Sequence, residues 1–361
     1  MMIRISLQRC VVAVLTINFS VCALAKSPAL PRVSADIDKT SVSGLSSGAF
    51  MSSQLFMAHS SHMVGAGVIA GGPYLCSLSL PVSPTTVSTT TCMNPPLGMP
   101  LPNTSKLVEK TKKLIEQNKI DPIDSIRSAN IYLFSGRLDP IVKTSVVNET
   151  YNYFKEIGIP GKQILFNSSV AAGHAVITNK NENALCEITF SPYINNCNID
   201  QASRLLEHIY GELKEPSDTI TGQLLEFDQT EFLPTTNNFT AMADTGFVYI
   251  PEKCERGGCP VHVAIHGCGQ SAKYVQGAFH KGAGYNEVAD TNGLIVLYPQ
   301  VNASLTEPLN PMGCWDFWGY SIPGYSDFNP STWTTDFATK DAPQIKAIFS
   351  MVERLSNPLQ H

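Results

Sequence analysis

The chain has 361 residues, 43% of them hydrophobic, and 25 Lys and Arg against 30 Asp and Glu give it a net charge of −5. That length can bury one large core or two modest ones. The acidic balance excludes nucleic acid as a partner bound by phosphate neutralisation.

The first residues carry Arg4 and Arg9, then an apolar stretch from Cys10 to Ala25 that ends Ala23-Leu24-Ala25 before Lys26. This is the charged, apolar and small-residue order of a secretory signal peptide. A spanning helix needs about 20 predominantly apolar residues, and Thr16, Asn18 and Ser20 interrupt this run. Residues 1–25 are therefore expected to be a cleaved signal peptide, leaving a secreted or periplasmic chain with no membrane anchor. Losing Arg4 and Arg9 moves its net charge to −7.

Beyond the leader, short β-rich runs alternate with helical stretches. In chain order the predicted strands are Lys39–Val42, Gly65–Ile69, Ile131–Ser135, Gln163–Asn167, Thr245–Ile250, Val261–Ile265 and Leu294–Tyr298. The predicted helices are Gly48–His59, Thr104–Gln117, Val146–Ile157, Ile199–Leu213, Phe279–Asn292 and Ala342–Leu355, the last with Asp341 placed to cap its start. Such alternation predicts an α/β fold, a mostly parallel sheet flanked by helices. Two stretches read as irregular, 77–103 and 214–238.

Eight cysteines remain after the leader: Cys76, Cys92, Cys186, Cys197, Cys254, Cys259, Cys268 and Cys314. In an oxidising compartment an even set is expected to pair. Eight cysteines allow 105 connectivities, and the expectation adopted here joins neighbours: 76 with 92, 186 with 197, 254 with 259, and 268 with 314.

Gly44-Leu45-Ser46-Ser47-Gly48 has the nucleophile-elbow pattern between a strand and a helix, the setting that pushes a serine hydroxyl out above a sheet. A serine hydroxyl needs a base oriented by a carboxylate. In chain order Asp139 follows the strand Ile131–Ser135 within Ser135-Gly136-Arg137-Leu138-Asp139, and His174 follows Gln163–Asn167 within Gly173-His174-Ala175. That is the Ser, Asp, His order of α/β-hydrolases. His59 and His62 end a helix, His208 lies within one and His361 is the terminus. His262 and His266 lie four apart on a strand with no acidic partner at ligand spacing, so no metal and no cofactor is expected.

An acyl-transfer site needs backbone donors for the oxyanion, and one is expected from the amide of Ser47, next to the nucleophile. The other normally comes from a His-Gly loop that precedes the nucleophile. Here that loop, His266-Gly267-Cys268-Gly269-Gln270, comes long afterwards. The displacement predicts a circularly permuted α/β-hydrolase in one catalytic domain over 26–361, with the old termini joined near 214–238, which is tolerable because domain termini usually lie close together at the surface.

With these motifs, Ala70-Gly71-Gly72-Pro73-Tyr74 included, the chain resembles the single-domain poly(3-hydroxybutyrate) depolymerases, from about Ser34 to Trp318. The resemblance implies an esterase acting on a polyester or oligoester through Ser46, Asp139 and His174, with the amides of Ser47 and Cys268 as oxyanion donors. It also implies substrate contacts from the aromatic loop Gly313–Tyr320, here Trp315 and Trp318, together with Tyr74. An esterase releasing feruloyl or acetyl groups from polysaccharide and a catalytically silent secreted binding protein stay open as alternatives on the sequence alone.

Overall fold

The computed structural model describes residues 26–217, 219–235 and 239–359, and the expected signal peptide lies outside them. Eleven strands follow in order: β1 Asp36–Leu45, β2 Met63–Ile69, β3 Asn130–Phe134, β4 Ile164–Asn167, β5 Val176–Thr178, β6 Ala184–Leu185, β7 Ile194–Asn196, β8 Gln223–Asp228, β9 Thr245–Ile250, β10 Pro260–Ile265 and β11 Ile295–Tyr298. Eight of them form one sheet in the order β4-β3-β2-β1-β10-β11-β9-β8. Only β9 runs against its neighbours.

Strands β2, β10 and β11, and β1 from Thr40 onward, are buried almost throughout, as expected of parallel strands covered on both faces. The order of the sheet gives the permutation physical form. Strands β1–β4 fill one half and β8–β11 the other, and the halves meet where β1 pairs in parallel with β10, from Ser41 against His262 to Gly44 against Ile265. The loop after β10 therefore lies beside the end of β1, although it follows β1 by more than two hundred residues.

The structure extends or trims most predicted elements by a few residues and changes five features. The segment expected to be irregular at 77–103 contains a short helix, Pro84–Thr89, which Pro84 opens and the Ser83 side chain caps by accepting the Thr86 N–H. The segment expected to be irregular at 214–238 contains β8, an edge strand with a largely exposed start, whose polar sequence hides it from pattern reading. Phe279–Asn292 breaks into the helices Ala278–Gly282 and Tyr285–Asn292 because Gly284 takes φ +91° between them. The last helix, Pro343–Ser356, is not capped by Asp341; Ala342 holds the cap position without a side-chain bond, and Pro343 occupies the first helical position. Finally, β5, β7 and β6 form a small second sheet between β4 and the helix Gln201–Tyr210.

Four disulfides join Cys76 to Cys92, Cys186 to Cys197, Cys254 to Cys259 and Cys268 to Cys314, the neighbour pairing expected. Among the described residues no helix is long and apolar enough to cross a membrane.

Polar groups inside the core are paired with care. His262 lies between β1 serines, its Nδ1 2.7 Å from Ser41 Oγ and its Nε2 2.8 Å from Ser43 Oγ, and these hydroxyls continue to Tyr210 and Tyr285. Burial pushes its pKa down from 6.5 to about 3, and that of His266 to about 4. Both are neutral when folded but take up a proton near pH 6.5 when unfolded, so the unfolded chain binds more protons below that pH. Stability is then complete above pH 6.5 and falls as pH drops from there toward 4, by up to about 1.4 kcal/mol per pH unit for each histidine. Urea unfolding at pH 7, 6 and 5 is expected to show a midpoint that moves steadily lower; a flat profile over that range contradicts it.

Candidate active site

Ser46 sits between β1 and the helix Ser47–Ala58 with φ +57° and ψ −121°, a conformation that costs a non-glycine residue on the order of 1–3 kcal/mol. The flanking glycines explain why the chain tolerates it. A Cβ on Gly44 would lie 2.4 Å from the carbonyl of Gly48, and one on Gly48 would lie 2.4 Å from the carbonyl oxygens of Ile265 and His266. The elbow is thus pressed directly onto the end of β10. The Ser46 N–H donates to Ile69 O at 3.0 Å, tying the turn to β2 as well.

Asp139 follows β3 and His174 follows β4, and the two meet at the carboxyl edge of the sheet with His174 Nδ1 2.8 Å from Asp139 Oδ2. The other carboxylate oxygen accepts the N–H groups of Ile141 and Val142 at 2.8 and 2.9 Å. An ionised carboxylate only accepts, so Nδ1 carries the proton and Nε2 keeps its lone pair. The loops bearing the pair are pressed together: Leu138 N–H donates to Ala172 O, and a Cβ on Gly136 would lie 2.3 Å from that same oxygen. All three polar residues are buried, Ser46 being 5% and His174 6% exposed.

The connection between β6 and β7 of the small second sheet clamps the histidine, a role with no signal in the sequence. Thr189 Oγ1 accepts the His174 N–H at 2.8 Å. Gly173 N–H donates to Cys186 O, and a Cβ on Gly173 would lie 2.1 Å from Ile188 O. The glycine is needed for the close crossing of this connection.

The loop after β10 packs against the elbow, where a Cβ on Gly267 would lie 3.5 Å from the Cβ of Ser46. Gly267 N–H is taken by Gln270 Oε1 at 2.7 Å and Gly269 N–H by Met312 O at 2.7 Å. Among the described residues the N–H groups of Ser47 and Cys268 have no acceptor. Ser47 opens its helix, where N–H groups lack intrahelical partners. Gln270 also reaches out, donating from Nε2 to Pro192 O and Tyr193 O at 2.9 and 3.2 Å. It ties this loop to the connection between β6 and β7.

The expected aromatic contacts need correction. Trp315 is fully buried with its ring 5.4 Å from that of His266, and Tyr74 is 1% exposed with its hydroxyl donating to Ala338 O at 2.6 Å. Both are core residues here, since neither presents a ring face to solvent. Trp318 is half-buried and lines a groove of about 520 Å³ with Leu309, Met312, Tyr325 and Phe328, next to Cys314 of the Cys268–Cys314 disulfide. Its loop is organised by buried Asp316, whose carboxylate accepts from Trp318, Gly319, Tyr320 and Ser321 N–H and from the Ser321 hydroxyl. Burial raises the Asp316 pKa against these five bonds.

Exposed apolar side chains, unmarked by any motif, lie on the loops that hold the carboxylate and imidazole and along the groove. Leu138 and Ile141 flank Asp139, Ile188 and Phe190 flank Thr189, and Leu309, Met312 and Phe328 continue along the groove, all of them well exposed.

This elbow, the paired carboxylate and imidazole, and the permuted strand order give the chain an α/β-hydrolase fold. No family model matches it. It is 39% identical over 334 residues to a poly(3-hydroxybutyrate) depolymerase of Delftia acidovorans, covering 91% of this chain but 62% of that relative, and 33% identical over 316 residues to a polyhydroxybutyrate depolymerase of Talaromyces funiculosus, covering 82% and 87%. Two solved structures superpose with a TM-score of 0.79 at 30% identity over 92% of this chain and all of theirs. One is a PHB depolymerase from Penicillium funiculosum, the other a serine-to-alanine PHB depolymerase complexed with an R3HB trimer. The chain belongs to the polyhydroxybutyrate depolymerase family.

The geometry around Asp139 makes a specific demand. In Asp139→Asn the oxygen that accepts Ile141 and Val142 N–H can persist, but the amide nitrogen faces His174 Nδ1 and forces the wrong tautomer. Hydrolysis of a chromogenic butyrate ester is expected to lose about 10⁴ in kcat with a melting temperature close to that of the wild type. Near-normal kcat in a folded variant contradicts the assignment.

Proposed function

We propose that the chain is an exported esterase that cleaves poly(3-hydroxybutyrate) or its oligomers, with Ser46 as nucleophile, His174 as base and Asp139 as its orienting carboxylate. The observation that carries the reading is the elbow serine together with the buried Asp139–His174 pair, on loops that also expose Leu138, Ile141, Ile188 and Phe190. A polyester offers no charge for recognition, so its binding free energy must come from apolar contact. Family membership and the trimer bound by a relative of the same fold support this substrate class.

In the reaction, His174 Nε2 takes the Ser46 proton as Oγ attacks the ester carbonyl. Negative charge then develops on the carbonyl oxygen, for which the N–H groups of Ser47 and Cys268 are the donors. Asp139 stabilises the imidazolium and holds its tautomer. The alcohol end departs with the proton from His174, and water activated by the same imidazole releases the acyl group from Ser46. All of these roles are filled by the chain's own residues.

Four disulfides suit an oxidising compartment, and with the leader pattern of residues 1–25 they support secretion or periplasmic residence. Residues 26–361 are read as one catalytic domain whose permutation joint lies near 214–238, the stretch that holds β8.

Trp318 and Trp315 separate binding from packing. Trp318→Ala is expected to lower hydrolysis of polymer or hydroxybutyrate trimer by roughly ten- to a hundredfold relative to a small chromogenic ester, the equivalent of ~1.5 to 3 kcal/mol of lost contact. Trp315→Ala opens a core cavity instead, costing about 3–5 kcal/mol of stability and lowering both rates together. A panel including feruloyl and acetylated sugars fixes the substrate class; preferred hydrolysis of those sugars over hydroxybutyrate oligomers overturns the polyester reading.

A further inference from the structure

His266 is fully buried, lies outside the proposed triad, and makes two hydrogen bonds that together fix its protonation. Its Nε2 lies 3.1 Å from the Val301 N–H and its Nδ1 lies 2.7 Å from the Gly267 carbonyl oxygen. An N–H group needs a lone pair, so Nε2 is the bare nitrogen and Nδ1 carries the proton. His266 is thereby a donor to Gly267 O and an acceptor for Val301.

The carbonyl it holds belongs to the peptide unit whose N–H is that of Cys268. A trans peptide is planar, with its C=O and N–H pointing to opposite sides. Fixing the oxygen therefore fixes the direction of the Cys268 N–H. A second donor closes on the same oxygen, since the Gln270 N–H reaches Gly267 O at 3.3 Å across a turn with Gly269 at φ +63°. The adjoining peptides are held too, Gly267 N–H by Gln270 Oε1 and Gly269 N–H by Met312 O, while the disulfide to Cys314 anchors the side chain. Between Gly267 and Gln270 only the Cys268 N–H is left without an acceptor among the described residues.

We infer that His266 is a positioning residue for ester hydrolysis, which as its Nδ1–H tautomer locks the Gly267–Cys268 peptide so that the Cys268 N–H faces the developing oxyanion. The inference deepens the proposed reaction and rests on it. The energetic logic is preorganisation: a donor already aimed needs no rearrangement when charge appears. Buried Trp315 packs against the imidazole with its ring centroid 5.4 Å away and tilted by 51°.

Two substitutions separate aiming from packing. His266→Asn keeps an N–H donor near the Nδ1 position, and His266→Gln keeps a polar group near the Nε2 position but loses the donor to Gly267 O. With a chromogenic butyrate ester, His266→Gln is expected to lose about 30- to 100-fold in kcat with KM within about threefold, because an oxyanion donor is worth roughly 10²–10³. Affinity for an alkyl trifluoromethyl ketone, whose hemiketal oxyanion occupies the same donors, should weaken in parallel, while His266→Asn should lose less than about tenfold in both. Unchanged kcat and inhibitor affinity in His266→Gln overturn the inference, as does an equal loss in both variants that tracks their melting temperatures. Nitrogen-15 spectra of histidine-labelled wild type give a reading that needs no variant: a neutral Nδ1-protonated His266 is expected, and an Nε2-protonated ring refutes the assignment. If wild type hydrolyses no ester, the proposed reaction fails while the tautomer measurement still decides the geometry.

Discussion

The contact on which the rest of the site depends is the backbone packing of the elbow against the end of β10. Gly44 and Gly48 have no room for a Cβ because the carbonyls of Gly48, Ile265 and His266 occupy that space. This single close approach brings Ser46, from the first half of the chain, against the His266–Gln270 loop, from the second. It also explains how a permuted order can support the same chemistry. Pairing of β1 with β10 sets the height of both loops above the sheet, and the length of chain between them costs little once that pairing forms, since loop-closure entropy grows slowly with length.

Around this junction the site is built from peptide groups held in place, with few charges. His266 and Gln270 hold the Gly267 peptides, Thr189 holds the His174 backbone, and Asp139 is itself held by two N–H groups. Gln270 links the His266–Gln270 loop to the connection between β6 and β7, which also holds the His174 backbone. Such neutral scaffolding suits an uncharged substrate. Under the proposed function, the exposed apolar side chains beside Asp139 and Thr189 supply contact to a polyester segment while the buried hydrogen bonds keep the proposed reacting groups aligned.

Much of this was legible in the sequence because the chemistry leaves order and spacing behind. The elbow lies between a strand and a helix, Asp139 and His174 each follow a strand, and the His-Gly loop follows another. What was not legible divides by cause. Strand β8 is an exposed edge and the strands of the second sheet are two or three residues long, too short or too polar for periodicity to register. Trp315, Trp318 and Tyr74 share an aromatic character but not an environment: the first and last are core and Trp318 borders a groove, a difference set by tertiary packing. The exposed apolar side chains of the site loops and groove are scattered singly from Leu138 to Phe328, and a single exposed leucine carries no signal until the fold gathers it with others.

The central claim is that Ser46 becomes acylated by a hydroxybutyrate ester and that the rest of the site serves that step. Rapid acid quenching during turnover of a hydroxybutyrate trimer, followed by peptide mass mapping, observes the intermediate directly. The account predicts a hydroxybutyryl adduct on the peptide containing Ser46, absent from Ser46→Ala. An adduct on any other residue, or continued turnover by Ser46→Ala, contradicts it.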